Sequence, residues 1–407
     1  MASEPAELRK AVAVPVPELL NHERAIARMA ERGIDLLLAG GYVNFGYLAG
    51  FFTHFGRDFP GPLYNGLPLV RFAALPADPD IPPFFVTCPD EAEDVAFQGS
   101  WIEDRRFVGP ASELPGPDVS PNTEAEPFEE LARALAARGL AEAVIGVDLA
   151  DISARTASRL AAHSPLAELV DATQDFIYVR MVKTPAELAR LEGAVEGSER
   201  GHAAVPRHLA TGLSERELAG HVRRAVADSR TVPYILHLNA GPVGPTLLPP
   251  TDRRIARDSV VSVDVGCIHR DYAGDKFHVY AFGDPPLRAF EIHERLDRVN
   301  ADLLDALRPG TSGAELFQLG RARMESEGLE MAGAFIGHGI GIDIHETPYL
   351  APVDPTPLEA GMVIVLEAGT RVADLGHFCS EITCLIEPDG VRPLTRIGHQ
   401  ISRVAAN

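Results

Sequence analysis

Residues 259–283 read SVVSVDVGCIHRDYAGDKFHVYAFG, two apolar runs joined by a short polar turn. Valine, isoleucine and aromatic residues dominate both runs, which predicts strands over 259–268 and 275–282. Asp264 interrupts the first strand, and Asp275 opens the second, eleven residues on. A carboxylate is costly to bury without a partner, so each acid needs a reason to be there. A hairpin brings both to one place.

Three other segments repeat the pattern. GAFIGHGIGIDIHETP (333–348) holds His338 in a glycine-rich turn and His345 before Glu346. LEAGMVIVLEAG (358–369) and FCSEITCLIE (378–387) place Glu367 and Glu381 within predicted strands at 362–368 and 379–386. One such acid alone reads better as a core salt bridge. Four read better as ligands, because the nearby bases are only Arg270, Lys276 and Arg371, whereas two divalent cations neutralise all four. Carboxylates with one imidazole suit Mn, Fe, Co or Zn, and a carboxylate shared by two ions suits a two-metal clamp.

Outward from this centre, capping boxes at Thr184/Glu187, Ser214/Glu217 and Ser312/Glu315 predict helices starting at 185, 215 and 313, with Pro185 in a favourable first position. Strands and helices come in blocks here, an α+β arrangement. The first half alternates instead. A helix over 18–33 ends at Gly33, strands follow at 34–40, 69–75, 82–88 and 143–149, and helical patterns occupy 124–138 and 153–163. This predicts a sheet covered by helices. The segments 51–68 and 104–123 read as loops, the first of them aromatic and a candidate lid or dimer contact. A boundary near 172–183 divides the chain into domains 1–175 and 176–407.

At 407 residues the chain is long enough for two cores. Its net charge of -21, with no basic cluster, opposes nucleic-acid binding. Cys88, Cys267, Cys379 and Cys384 form no Cys-x-x-Cys pair and read as buried free thiols of a reducing compartment. The N-terminal residues lack the continuous apolar core of a signal peptide, and no apolar run reaches the ~18 residues of a membrane span. The expectation is a cytoplasmic protein with no membrane partner.

GHGIGIDIHETP (337–348) and LEAGMVIVLEAG (358–369), with the ordered acids around them, resemble the family of creatinase, prolidase, aminopeptidase P and methionine aminopeptidase. GGYVNFGYLAGF (40–51) is similar to a "YL-G" segment of creatinase- and prolidase-like proteins. The resemblance implies a C-terminal pita-bread domain preceded by a smaller α/β creatinase-like domain. It implies two metal ions, with Mn expected first, held by Asp264, Asp275, His338, Glu367 and Glu381. Asp275 and Glu381 would bridge, and a water between the ions would be the nucleophile. His345 would stabilise charge on the substrate oxygen, and Glu367 would shuttle a proton. It further implies an Xaa-Pro peptidase acting on a short peptide, and a homodimer.

Several positions depart from that pattern. Leu247 stands where proline peptidases carry a loop histidine, and His237, ten residues upstream, reads as an ordinary loop or core residue. Relatives read Arg-Ile-Glu-Asp where this chain reads Cys379-Ser380-Glu381-Ile382, and Ala-Gly follows Glu367 instead of Pro-Gly. These departures keep open a hydrolase of non-peptide molecules such as creatine or ectoine. They also admit a lyase like the one that cleaves dimethylsulfoniopropionate, although Gly266 stands where that enzyme adds an aspartate. A catalytically silent binding module is the third alternative. Asp271 reads as a turn residue, Tyr272 as an ordinary turn tyrosine, and His278 and His377 as structural. Phe277 and Phe378 read as strand residues facing a core.

Overall fold

The first helix, α1 (His22–Arg32), starts where the Asn21 side chain accepts from Arg24 N–H and stops at Gly33, whose φ of 65° only glycine adopts easily. The computed structural model describes residues 19–53, 69–109, 126–242 and 247–406. They fall into two units, divided between Arg180 and Met181.

In the first unit α1 leads into β1 (Leu36–Ala39), α2 (Tyr42–Ala49), β2 (Phe72–Pro76), β3 (Phe84–Thr87), α3 (Ala92–Gln98) and β4 (Asp104–Phe107). Then come α4 (Glu126–Ala137), β5 (Val144–Val147), α5 (Ala154–His163), β6 (Glu168–Asp171) and α6 (Thr173–Met181). The sheet runs β4-β3-β2-β1-β5-β6, antiparallel at β1–β2 and β2–β3 and parallel elsewhere. Phe72, Phe84, Phe128, Leu131 and Ile145 pack α4 onto it. One expectation needs correction. Asp104–Phe107 is an edge strand inside the expected 104–123 loop, and its charged residues conceal it. The segment around the "YL-G" motif is a helix, α2. Most of the 51–68 loop lies outside the described residues.

The second unit begins with α7 (Pro185–His208) and α8 (Glu215–Asp228), both opened by complete capping boxes. Next come β7 (Val232–Ala240), β8 (Ser259–His269), β9 (Tyr272–Gly274), β10 (Phe277–Phe282) and α9 (Arg288–Ala306). A third capping box opens α10 (Gly313–Ser326). The remainder is β11 (Gly337–Gly339), β12 (Glu346–Tyr349), β13 (Val363–Val372), β14 (Gly376–Glu387), β15 (Gly390–Pro393) and β16 (Ser402–Val404). One sheet runs β16-β10-β8-β7 with β9 on β8; the other runs β12-β11-β13-β14-β15.

Helix α7 carries Gly193, Gly197 and Gly201 at four-residue intervals. A Cβ at Gly197 would stand 2.5 Å from Thr231 and 2.9 Å from the Cys267 sulfur, and one at Gly201 would stand 3.0 Å from Val265. The missing side chains let α7 lie close against β8, the strand that carries Asp264. Arg270 and Asp271, with φ of 48° and 73°, make the tight turn between β8 and β9. Asp275 therefore sits in the two-residue gap between β9 and β10 and does not begin a strand. The backbone of Lys276, next to it, exchanges hydrogen bonds with Val265. No described helix is long and apolar enough to cross a membrane.

Candidate metal centre

Strand β8 sets the first acid. Asp264 pairs with Phe277 of β10 on one side and with His237 of β7 on the other. In the second sheet Glu367 of β13 lies directly opposite Glu381 of β14, and His338 of β11 lies opposite Val365. The five sequence-predicted ligands come together. Carboxylate oxygens of Asp264, Asp275 and Glu381 lie within 4.8 Å of one another. Ligand atoms of Asp275, His338 and His345 form a second such group, and those of Glu367, Cys379 and Glu381 a third.

His338 is fully buried, and its Nδ1 lies 2.9 Å from the Gly339 carbonyl oxygen. Donation from Nδ1 to that acceptor fixes the tautomer and turns the Nε2 lone pair inward. Nε2 stands 3.4 Å from Glu367 Oε1 and 3.8 Å from Asp275 Oδ2. Burial and then His345 push this imidazole down to about 3, so it is neutral at ordinary pH and acceptors face acceptors. Among the described residues, His338 Nε2, Glu367 Oε1 and Glu381 Oε1 are buried and make no hydrogen bond. Such orphaned atoms demand protons or cations between them.

The electrostatics agree. Burial, then neighbouring acids beginning with Glu381, raises Asp275 and Glu367 well above the usual carboxylate range. Glu381 is pushed up to about 7 by burial, with Lys276 pulling against the shift. The Lys276 ammonium is buried and donates to the Glu381 backbone carbonyl. Hard oxygen donors and one neutral imidazole, crowded and unsatisfied, fit divalent cations.

A cavity of about 300 Å³ opens onto the acids. Ile235, Leu247, Phe335, Ile344 and Phe378 form its apolar walls. His345 reaches it with its ring centroid 4.0 Å from that of His338. Desolvation lowers the His345 pKa, and Asp264 opposes the shift.

Sequence reasoning missed His237. It lies on a strand, not in a loop, lines this cavity, and places Nδ1 3.0 Å from Asp264 Oδ2. The alternation of Ile235, His237 and Asn239 was the available signal. His377, read as structural, also lines the cavity, as do Leu247 and Cys379. Phe277 and Phe378 are buried as expected, at the cavity's edge. His278 does fill a structural place, with Nε2 2.8 Å from the Ser402 hydroxyl. Asp271 is a turn residue, and the buried Tyr272 donates its hydroxyl to Glu187 at 3.0 Å.

An α+β domain with an acid-rich cluster between its two sheets, preceded in the chain by a smaller α/β domain, is the architecture of the pita-bread metalloenzymes. The sequence model described as Metallopeptidase family M24 matches residues 189–392, and that of the Creatinase/Prolidase N-terminal domain matches 22–182. The chain belongs to this metallopeptidase family.

Among its relatives is an Xaa-Pro dipeptidase of Pyrococcus furiosus, 29% identical over 231 residues. That match covers 55% of this chain and 65% of the relative, just under two thirds of its length. An Xaa-Pro dipeptidase of Lactobacillus delbrueckii subsp. lactis is 23% identical over 380 residues, covering 92% of this chain and 96% of the relative. Among solved structures, the dipeptidase PepE from Mycobacterium ulcerans shares the fold, with a TM-score of 0.76 at 24% identity. That alignment covers 97% of this chain and 98% of the other.

Proposed function

We propose that the chain is a metal-dependent hydrolase that cleaves a C–N or peptide bond of a small substrate, with Xaa-Pro dipeptides as the first class to test. The observation that carries this reading is the convergence of Asp264, Asp275, His338, Glu367 and Glu381 beside a cavity, three of them with a buried atom that makes no hydrogen bond among the described residues. Asp264, Asp275, His338, Glu367 and Glu381 would hold two divalent cations, with Mn the first to try and Fe, Co or Zn after it. Bound there, the cations supply Lewis acidity and make a water a stronger acid.

The chain's own groups do the rest. The imidazole of His345, tilted against that of His338, faces the cavity and donates a hydrogen bond to a substrate oxygen as it gains charge. Glu367 lines the cavity with its side chain a quarter exposed, and it holds and releases a proton at the carboxylate oxygen other than the buried Oε1. His237 orients Asp264. The apolar walls exclude water and receive a hydrocarbon flank such as a prolyl ring. In this reading 176–407 is the catalytic domain and 1–175 an accessory one. The protein is a cytoplasmic homodimer; a monomer by light scattering rejects the dimer, and a secreted native protein rejects the location.

A second reading, a hydrolase or lyase acting on a non-peptide molecule, has one observation in its favour. Leu247 puts hydrocarbon in the cavity wall where a proline peptidase would put a histidine. One experiment separates the two: Mn²⁺-reconstituted protein is assayed on an Xaa-Pro dipeptide panel beside Asp264→Ala. Cleavage that disappears in the variant supports the peptidase. A fully metallated protein that cleaves none of the panel sinks it and leaves the non-peptide reading.

A further inference from the structure

Cys379 lies two residues before Glu381 on β14, so both side chains leave the same face of the strand. Across the ladder, Glu381 faces Glu367, while Cys379 faces Gly369. Gly369 sends no side chain over the thiol; a Cβ there would stand 3.6 Å from that of Cys379. Cys379 is therefore not covered by its cross-strand partner, and it lines the cavity although its relative exposure is only 9%. Its sulfur lies within 4.8 Å of carboxylate oxygens of both Glu367 and Glu381. Glu381 is 2% exposed, and its Oε1 makes no hydrogen bond among the described residues.

The geometry points to Cys379 as a sulfur ligand of the cation held between Glu367 and Glu381, making this a mixed thiolate–carboxylate site. The inference rests on the proposal that cations bind here. Two donors on one ion stand at most about 4.4 Å apart, with metal–sulfur and metal–oxygen bonds of about 2.3 and 2.1 Å. The three ligand atoms, all within 4.8 Å of one another, are grouped close to that reach. On binding, the S–H bond breaks, the proton leaves to solvent, and the sulfur lone pair forms the bond to the ion; no oxidant is needed. A thiolate moves preference from Mn²⁺ toward the softer-accepting Zn²⁺, Co²⁺ and Fe²⁺. The other three thiols are placed differently. Cys384 leaves the opposite face of β14, Cys267 donates to the Ala194 carbonyl, and Cys88 belongs to the first unit.

The test is the electronic spectrum of the full chain, stripped of metal and titrated with Co²⁺. The expected result is visible d–d bands together with a near-ultraviolet sulfur-to-cobalt charge-transfer band, the latter lost in Cys379→Ser while the d–d bands remain. The same variant should bind Zn²⁺ about tenfold more weakly and Mn²⁺ nearly as before. Visible bands without charge transfer in the unmodified chain, or charge transfer that survives the substitution, overturn the sulfur ligand and leave the metal site standing. A chain that takes up no Co²⁺, Zn²⁺ or Mn²⁺ overturns both. Alkylation of Cys379 in the unmodified chain gives a readout independent of any variant: Zn²⁺ should protect it more than Mn²⁺ does, and equal reactivity in both forms counts against ligation.

Discussion

His237 and Asp264 face each other directly across the β7–β8 ladder, with the imidazole Nδ1 3.0 Å from the carboxylate Oδ2. That hydrogen bond, more than any other influence, raises the His237 pKa. A carboxylate held in this way loses rotational freedom and presents its other oxygen in a fixed direction. Replacing His237 with alanine should weaken cation affinity by about 10- to 100-fold, and His237→Gln, which keeps a donor, should recover part of it. Competition titration against a metallochromic chelator measures this. Unchanged affinity with reduced turnover would assign His237 to the substrate instead of to Asp264.

Removing the cations should loosen the second unit. Any ion that binds only the folded state stabilises it by RT ln(1 + [M]/Kd), about 2.7 kcal/mol at one hundred times Kd. Without cations the buried acids must take up protons or repel one another. Chelation should therefore lower the melting temperature, and added Mn²⁺ should restore it. Asp264→Ala should show no such response and carry less metal by elemental analysis. A melting temperature indifferent to chelator in metal-loaded protein would mean that protons, not cations, hold these side chains.

The acids that interrupt apolar strands, and the three capping boxes, were legible because their signals are local: a charge among valines, or an oxygen three residues from its N–H. The alternation around His237 signals only its strand; its pairing with Asp264 was not legible, because the partner is 27 positions away and only the ladder register brings them together. Pro233 also breaks the pattern of β7, whose first three residues are exposed and whose pairing is irregular before Leu236. Helix α2, buried from Asn44 to Ala49, shows no amphipathic period to read. Edge strand β4 reads Asp-Arg-Arg-Phe and shows no apolar alternation. The access of Cys379 to the cavity depends on Gly369, ten residues earlier, which carries no meaning until the β13–β14 register is known.

A pH dependence is expected from the first unit. Asp148 is fully buried and accepts from Gly40 N–H at 3.0 Å, Gly41 N–H at 3.2 Å and the Asn44 amide at 3.3 Å. Burial nevertheless pushes its carboxyl up to about 7, Asp151 adds to the shift, and the donors oppose it. The folded state thus holds the proton more tightly than the unfolded chain, whose aspartate titrates near about 3.9. The contribution is fully present below about pH 4, is lost as pH rises to about 7, and totals at most roughly 4 kcal/mol. Urea midpoints at pH 5 and pH 8 should differ more in the unmodified protein than in Asp148→Asn. Equal slopes would show that Asp148 stays ionised throughout, held by its three donors.

Lys183 and Glu346 form a buried pair, Nζ to Oε2 2.8 Å, with side-chain exposures of 2% and 6%. The other oxygen of Glu346 accepts from Asp343 N–H at 3.1 Å, so one carboxylate shapes the turn that delivers the adjacent His345 to the cavity. Gly341 belongs to the same arrangement, since a Cβ there would stand 2.4 Å from Glu346 Oε2. Removing one partner of a buried pair leaves an uncompensated charge, whereas removing both spares that penalty. Lys183→Met should cost about 3–5 kcal/mol in denaturant unfolding, and adding Glu346→Gln should return much of it. Turnover should behave differently. The double variant, stable again but without the ionic anchor of the turn, should bind metal normally and remain slow, because His345 is no longer held beside His338. If stability and turnover instead recover together, the pair supports the fold alone and the position of His345 is set by its ring contacts.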